Sequence, residues 1–150
     1  MAEILSAQQT VMSVPARRPT AASHGRLRAI VITTPLIYAA ALNDTMGSHE
    51  TLRAGARLRM PQVSNAVGAA ASTLNIGLRN PRTKVPIDAT ALATALPLSA
   101  AGNAIVTTGT KLANGIEYVL AEEAEPYFTF TGAAPLANAQ IRAEIEYLDA

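Results

Sequence analysis

The chain has 150 residues, 49% of them apolar, and 12 basic against 11 acidic side chains leave a net charge of +1. That length suits one domain, able to bury roughly 70% of the surface its extended chain would expose. Cysteine and tryptophan are absent and aromatics make up only 4%; disulfides, thiolate metal sites and cysteine nucleophiles are thereby excluded, and the core must be built from alanine and aliphatic residues, which bury less area each.

Residues 1–28 show no sustained period, contain Pro15 and Pro19, and carry Arg17, Arg18, Arg26 and Arg28 against the single acid Glu3. They read as an extended basic N-terminal arm, followed by one domain over residues 29–150. Ala29–Thr33 and Leu36–Ala41 are apolar runs with the character of strands, bent apart at Pro35. The same stretch imitates a secretory signal, but it starts far into the chain, is split by proline and is too short to cross a bilayer as a helix. Asn43–Thr51 reads as a loop.

Two alternating runs follow. In Ala54–Pro61 and Ser72–Arg79, apolar residues fall on every second position: Leu58 and Met60, then Leu74, Ile76 and Leu78, with Arg57, Arg59 and Asn75 between them. This is the period of half-buried strands, and its apolar members are expected in the core. Pro61–Ala71 reads as a turn-forming spacer. Arg79 leads into a surface loop, Asn80–Pro86, with Arg82 and Lys84. Residues 88–101 permit one short helix, capped by Asp88 and ended near Pro97. Asn103–Thr108 alternates weakly, and Asn114-Gly115 is a hairpin signal between Thr110–Ala113 and Ile116–Leu120. Tyr127–Thr131 is another strand. In Gln140–Tyr147, Ile141, Ala143, Ile145 and Tyr147 face one way and Arg142, Glu144 and Glu146 the other. Seven or eight short strands predict an all-β fold, an antiparallel β-sandwich or jelly roll with at most one short helix.

Chemistry is sparse. His24 and His49 are the only histidines, and Ser48-His49-Glu50 holds the side chains of a triad at adjacent positions, which cannot converge on one another. Glu122, Glu123 and Glu125 lack the spacing and glycine bend of a calcium loop and read as a solvated acidic turn. Gly55, Gly68 and Gly77 belong to no phosphate loop. Asn43-Asp44-Thr45 matches a glycosylation triplet, which has meaning only in a eukaryotic secretory route. The arginines have no interleaved aromatics on which bases could stack, so protein contact suits them better than nucleic acid. The candidate contact residues are Arg17, Arg18, Arg26, Arg28, Arg57, Arg59, Arg79, Arg82 and Lys84. No catalytic, cofactor-binding or metal-binding residue is predicted.

The order of several segments carries a family likeness. Asp44 in a loop, Leu52-Arg-Ala-Gly-Ala-Arg-Leu58, a small-residue turn, Thr73-Leu-Asn-Ile-Gly-Leu78 and the terminal Ile141-Arg-Ala-Glu-Ile-Glu-Tyr147 resemble small structural proteins of tailed-phage heads, the capsid decoration or cement proteins. The resemblance spans about residues 36–147 and supplies no catalytic residue. It implies a non-enzymatic virion protein, made in the bacterial host cytoplasm, that binds the outside of a phage head and cements neighbouring major capsid subunits. Its implied partners are the major capsid protein and itself, as a homodimer before a trimer, without cofactor, nucleic acid or membrane. The alternative is a β-sandwich binding or adhesion module recognising a glycan or receptor, against which stands the shortage of aromatics for sugar stacking.

Overall fold

The computed structural model describes residues 27–113 and 117–149. Ten strands form in chain order: β1 (Leu27–Thr33), β2 (Thr45–Gly47), β3 (Arg57–Leu58), β4 (Gln62–Asn65), β5 (Thr73–Arg79), β6 (Pro86–Pro97), β7 (Gly102–Ile105), β8 (Tyr118–Val119), β9 (Glu125–Thr131) and β10 (Ile141–Leu148). Every pairing is antiparallel. In one sheet β10 is central, with β1 along one side, β4 and β3 in succession along the other, β7 beyond β4 and β8 beyond β3. The second sheet has the order β2-β9-β5-β6. The protein is an all-β antiparallel sandwich.

Side-chain alternation explains why these two sheets face each other. Ile30, Ile32, Leu58, Val63, Ile141, Ala143 and Ile145 of the first sheet pack on Leu74, Ile76, Leu78, Leu92, Phe128 and Phe130 of the second, all buried. β10 turns Arg142, Glu144 and Glu146 to the other side, and β5 turns Thr73 and Asn75, as period-2 alternation requires. The expected core residues Leu58, Leu74, Ile76 and Leu78 are fully inside, and Met60 is partly buried against them.

Four expectations are corrected. Residues 88–101 form no helix; most of them belong to β6, which pairs with β5 through several register shifts. Ala91, Leu92 and Ala93 are consecutive and all fully buried, because β6 is also lined by residues 108–111, whose Thr110 and Lys111 amides donate to Thr90 and Ala91. Gly109 makes this approach possible: a Cβ there would lie 2.4 Å from the Leu92 carbonyl carbon. Asp88 caps no helix and accepts instead from the Thr90 amide and the Thr110 hydroxyl. Leu36–Ala41 is an irregular loop rather than a strand. The spacer 61–71 contains β4, and β3 and β4 together form one interrupted line along β10. Leu58 faces Tyr147 while Gln62 faces Glu144, so one extra residue bulges out near Pro61, which has no amide to contribute to the ladder.

Strand β1 begins at Leu27 and carries Arg28, which the sequence reading assigned to the arm. The rest of the arm, with Arg17, Arg18, Arg26 and His24, lies outside the described residues, as does the Asn114-Gly115 turn.

Candidate protein-contact site

The most heavily engaged charged group is Glu125, the first residue of β9. It is buried, with 1% of its side chain exposed, whereas the sequence suggested a solvated acidic turn. Arg79, at the end of the neighbouring β5, sits directly opposite it in the ladder. Its Nη2 and Nε donate to Glu125 Oε1 and Oε2 at 3.0 and 3.3 Å, a bidentate pairing. Lys84 Nζ donates to Oε2, and the His49 amide donates to Oε1 at 3.1 Å. Gly47 leaves the space that the pair occupies, since a Cβ there would lie 2.1 Å from Arg79 Nη2. The Arg79 guanidinium also lies 5.0 Å from the centre of the Tyr127 ring. One carboxylate thus ties the 80–85 loop and the 48–50 loop to the end of the sheet.

Burial works against the charge of Glu125, but the hydrogen bonds from Arg79, Lys84 and the His49 amide, with the attraction of Arg79, outweigh it and hold the carboxyl at about 2, down from 4.5. A folded value below the unfolded one stabilises the protein above about pH 4.5, and that contribution drains away as pH falls towards 2. The expected loss is roughly 3 kcal/mol. Urea denaturation at a series of pH values should show it for the native chain and show a flatter curve for Glu125→Gln; parallel curves would remove Glu125 as the cause.

Three of the other predicted contact residues are surface groups with acidic neighbours. Arg59 Nη1 meets Glu146 at 3.0 Å, Arg57 meets Glu117 at 3.8 Å, and Arg28 meets Asp149 at 3.5 Å. Exposed pairs of this kind contribute about 0–1 kcal/mol each, so these side chains can exchange partners at little cost. Arg82 is exposed in the 80–85 loop, where the Asn80 carboxamide accepts from the backbone amides of Arg82 and Thr83. Arg79 is different: its side chain is 11% exposed, and the structure places it inside the fold rather than on a contact surface. Local period gives no sign of this, because Arg79 lies with Asn75 and Gly77 on the side of β5 opposite Leu74, Ile76 and Leu78, and is buried there by Glu125 beside Gly47 and the Tyr127 ring.

A second feature lies at the opposite end of the sandwich, where the sequence suggests a strand and the structure has a loop. Residues 34–42 project Leu36 and Ile37 into solvent at 82% and 86% exposure. This loop is firmly held. The Tyr38 hydroxyl donates to the Ala139 carbonyl at 2.5 Å, the Tyr38 amide donates to Asn138 Oδ1, and the Asn138 amide returns a bond to the Tyr38 carbonyl. Gln140 Nε2 donates to the Pro35 carbonyl, and Thr34 exchanges bonds with Ile141. Among the described residues, no three His, Cys, Asp or Glu side chains gather as a metal site would require, and no helix is long and apolar enough to cross a membrane.

The backbone path has counterparts among solved structures. A chain in the capsid of Ralstonia phage GP4 superimposes with a TM-score of 0.61 at 16% identity, over 84% of this chain and 86% of that one. A chain in the capsid asymmetric unit of cyanophage Pam1 does so with a TM-score of 0.59 at 14% identity, over the same shares. The fold is shared with phage capsid chains. No family model and no curated protein matches the sequence. At these identities the likeness is one of strand order and path, and no side chain's role passes from those chains to this one.

Proposed function

We propose that the protein is a non-enzymatic structural component of a phage virion, seated on the outer surface of the head, where it joins neighbouring major capsid subunits and also associates with copies of itself. The observation that carries this reading is the sandwich shared, over 84% of the chain, with chains of two phage capsids. The site chemistry supports it. Glu125, the one strongly perturbed carboxylate among the described residues, braces loops, and the exposed arginines hold loose ion pairs that another protein's acids can replace.

A joint between shell subunits must resist outward load from packaged nucleic acid. Several weak contacts are sufficient, because a molecule held at one point meets its second site at high effective concentration. Arg17, Arg18 and Arg26, ahead of β1, supply one such contact, and Arg57, Arg59 and Arg82 others. Removal of residues 1–25 is expected to leave the melting temperature of the sandwich unchanged and to lower occupancy on particles at least about tenfold, the effect of losing about 1.4 kcal/mol of attachment. The measurement is the amount of protein co-sedimenting with particles stripped of it and then re-supplied. Full occupancy by the truncated chain would defeat the role given to the arm; absence of the native chain from particles would defeat the reading as a whole.

A further inference from the structure

We infer that the uncharged end of the sandwich, built from residues 34–43, 66–72, 97–101 and 132–140, is a self-association surface that meets the same end of a second copy. This deepens the self-association in the proposed function and rests on that part of it, but not on attachment to a capsid.

Charges fall unevenly along the chain. Residues 29–43, 60–78, 89–110 and 126–141 contain no Asp, Glu, Lys, Arg or His. In sequence these are four separate neutral runs. The fold brings their turns together at one end: Ala66 donates to the Gln140 carbonyl, Gly68 to Leu98, Leu98 to Ser72, Asn43 to Phe130, and Asn138 to Tyr38. The nearest charges are already engaged, Asp44 by the Ala41 amide at 2.7 Å and Arg142 by Glu144 at 3.2 Å. Exposed on this end are Leu36, Ile37, Leu42, Val67 and Leu136, with Asn43 and Asn138 exposed and Asn65 and Gln140 half-buried among them. An apolar cluster interspersed with neutral hydrogen-bonding groups is the composition of a protein interface.

Shape agrees with composition. The same end holds a largely apolar recess of about 230 Å³, lined by Val63, Leu96, Pro97, Ala100 and Ala104 among others. A projecting Leu36-Ile37 pair and an apolar recess on one surface are what a two-fold contact needs, since each copy then gives its projection and receives its partner's. The bonds around Tyr38 fix the loop before contact, so little conformational entropy remains to be lost on association.

Charge selects the occupant. The opposite end of the sandwich carries Glu50, Arg53, Arg82, Lys84, Glu122 and Glu123 in the loops around Glu125. Head-to-tail stacking would press those charges onto Leu36 and Ile37 and strip their water without replacement, at a cost of several kcal/mol per ion. Joining uncharged end to uncharged end removes only apolar and neutral groups from water and closes the assembly at two copies.

Sedimentation of the full chain between about 1 and 100 µM tests this. The native chain is expected to shift from monomer to dimer with concentration. Leu36→Asp/Ile37→Asp should weaken association at least about a hundredfold, the consequence of placing charge in an apolar contact. Ala100→Arg, which puts a charge at the recess, should do the same. Both leave the fold intact, as circular dichroism and melting of each variant check, because the replaced side chains are exposed. Arg82→Glu at the other end should leave the dimer unchanged. A native chain that stays monomeric throughout, a dimer that survives both uncharged-end variants, or a dimer broken by Arg82→Glu instead would each overturn the inference. The proposed capsid attachment is measured separately on particles, so either can fail without the other.

Discussion

Glu125→Ala should lower the free energy of unfolding by about 3–5 kcal/mol, the range for removing one partner of a buried ion pair. The reason lies with the group left behind. Arg79 is 11% exposed and has Glu125 as its bidentate acceptor; without it the guanidinium stays in a poorly solvated place beside the Tyr127 ring face. Lys84 suffers less, since its side chain is 46% exposed and can turn to water. For a domain whose total stability is of order 5–15 kcal/mol, the loss is a large share and the midpoint in urea falls accordingly. Replacing both partners, as Arg79→Met/Glu125→Leu, should restore much of it, because no stranded charge remains. If the single variant loses less than about 1 kcal/mol, the cluster is not what holds this end of the sandwich.

The second large effect is expected from Phe130→Ala, again about 3–5 kcal/mol. Phe130 is one of only two phenylalanines in the chain, and it is 1% exposed between the sheets. Its ring also lies 6.4 Å from that of Tyr38, with 25° between the planes. Truncation therefore does two things: it opens a cavity in a core whose other side chains, Phe128 apart, are smaller, and it removes the surface against which the 34–42 loop leans. Denaturation measures the first. Amide hydrogen exchange measures the second, with faster exchange expected at the Tyr38 and Ala41 amides than in β10. Exchange in the loop unchanged from the native chain would mean that the Asn138 and Gln140 bonds hold it without the aromatic contact.

Much of the framework is legible in the residues themselves. β5, β9 and β10 are all seven or eight residues long, and their alternating apolar positions survive folding because each strand has one face on the core and one outward. β1 is legible for the same reason, two residues short at its start. The 88–101 segment misled because alanine, threonine and leucine in close succession carry little local preference, and pairing with β5 on one side and residues 108–111 on the other outweighs it. β3 escaped full recognition because two residues of regular pairing, Arg57 and Leu58, are all that the bulge near Pro61 allows. Leu36 and Ile37 read as strand because exposure cannot be seen in a β-branched or aliphatic residue taken alone.

The candidate site divides in the same way. Arg57 and Arg59 on the outer side of an alternating strand follow from local period, and their surface position needs no further information. Whether Arg79 is a surface arginine or a buried one depends on Glu125, 46 residues away, and nothing short of the β5–β9 register puts them side by side. The neutral end is a stronger case. Four stretches without charge are plain in the chain, but their convergence arises from the direction in which each strand runs, a property of topology. Side-chain period is a local matter, decided by neighbours two residues apart; the meeting of distant turns and of opposite charges depends on long-range pairing, which only the assembled sandwich specifies.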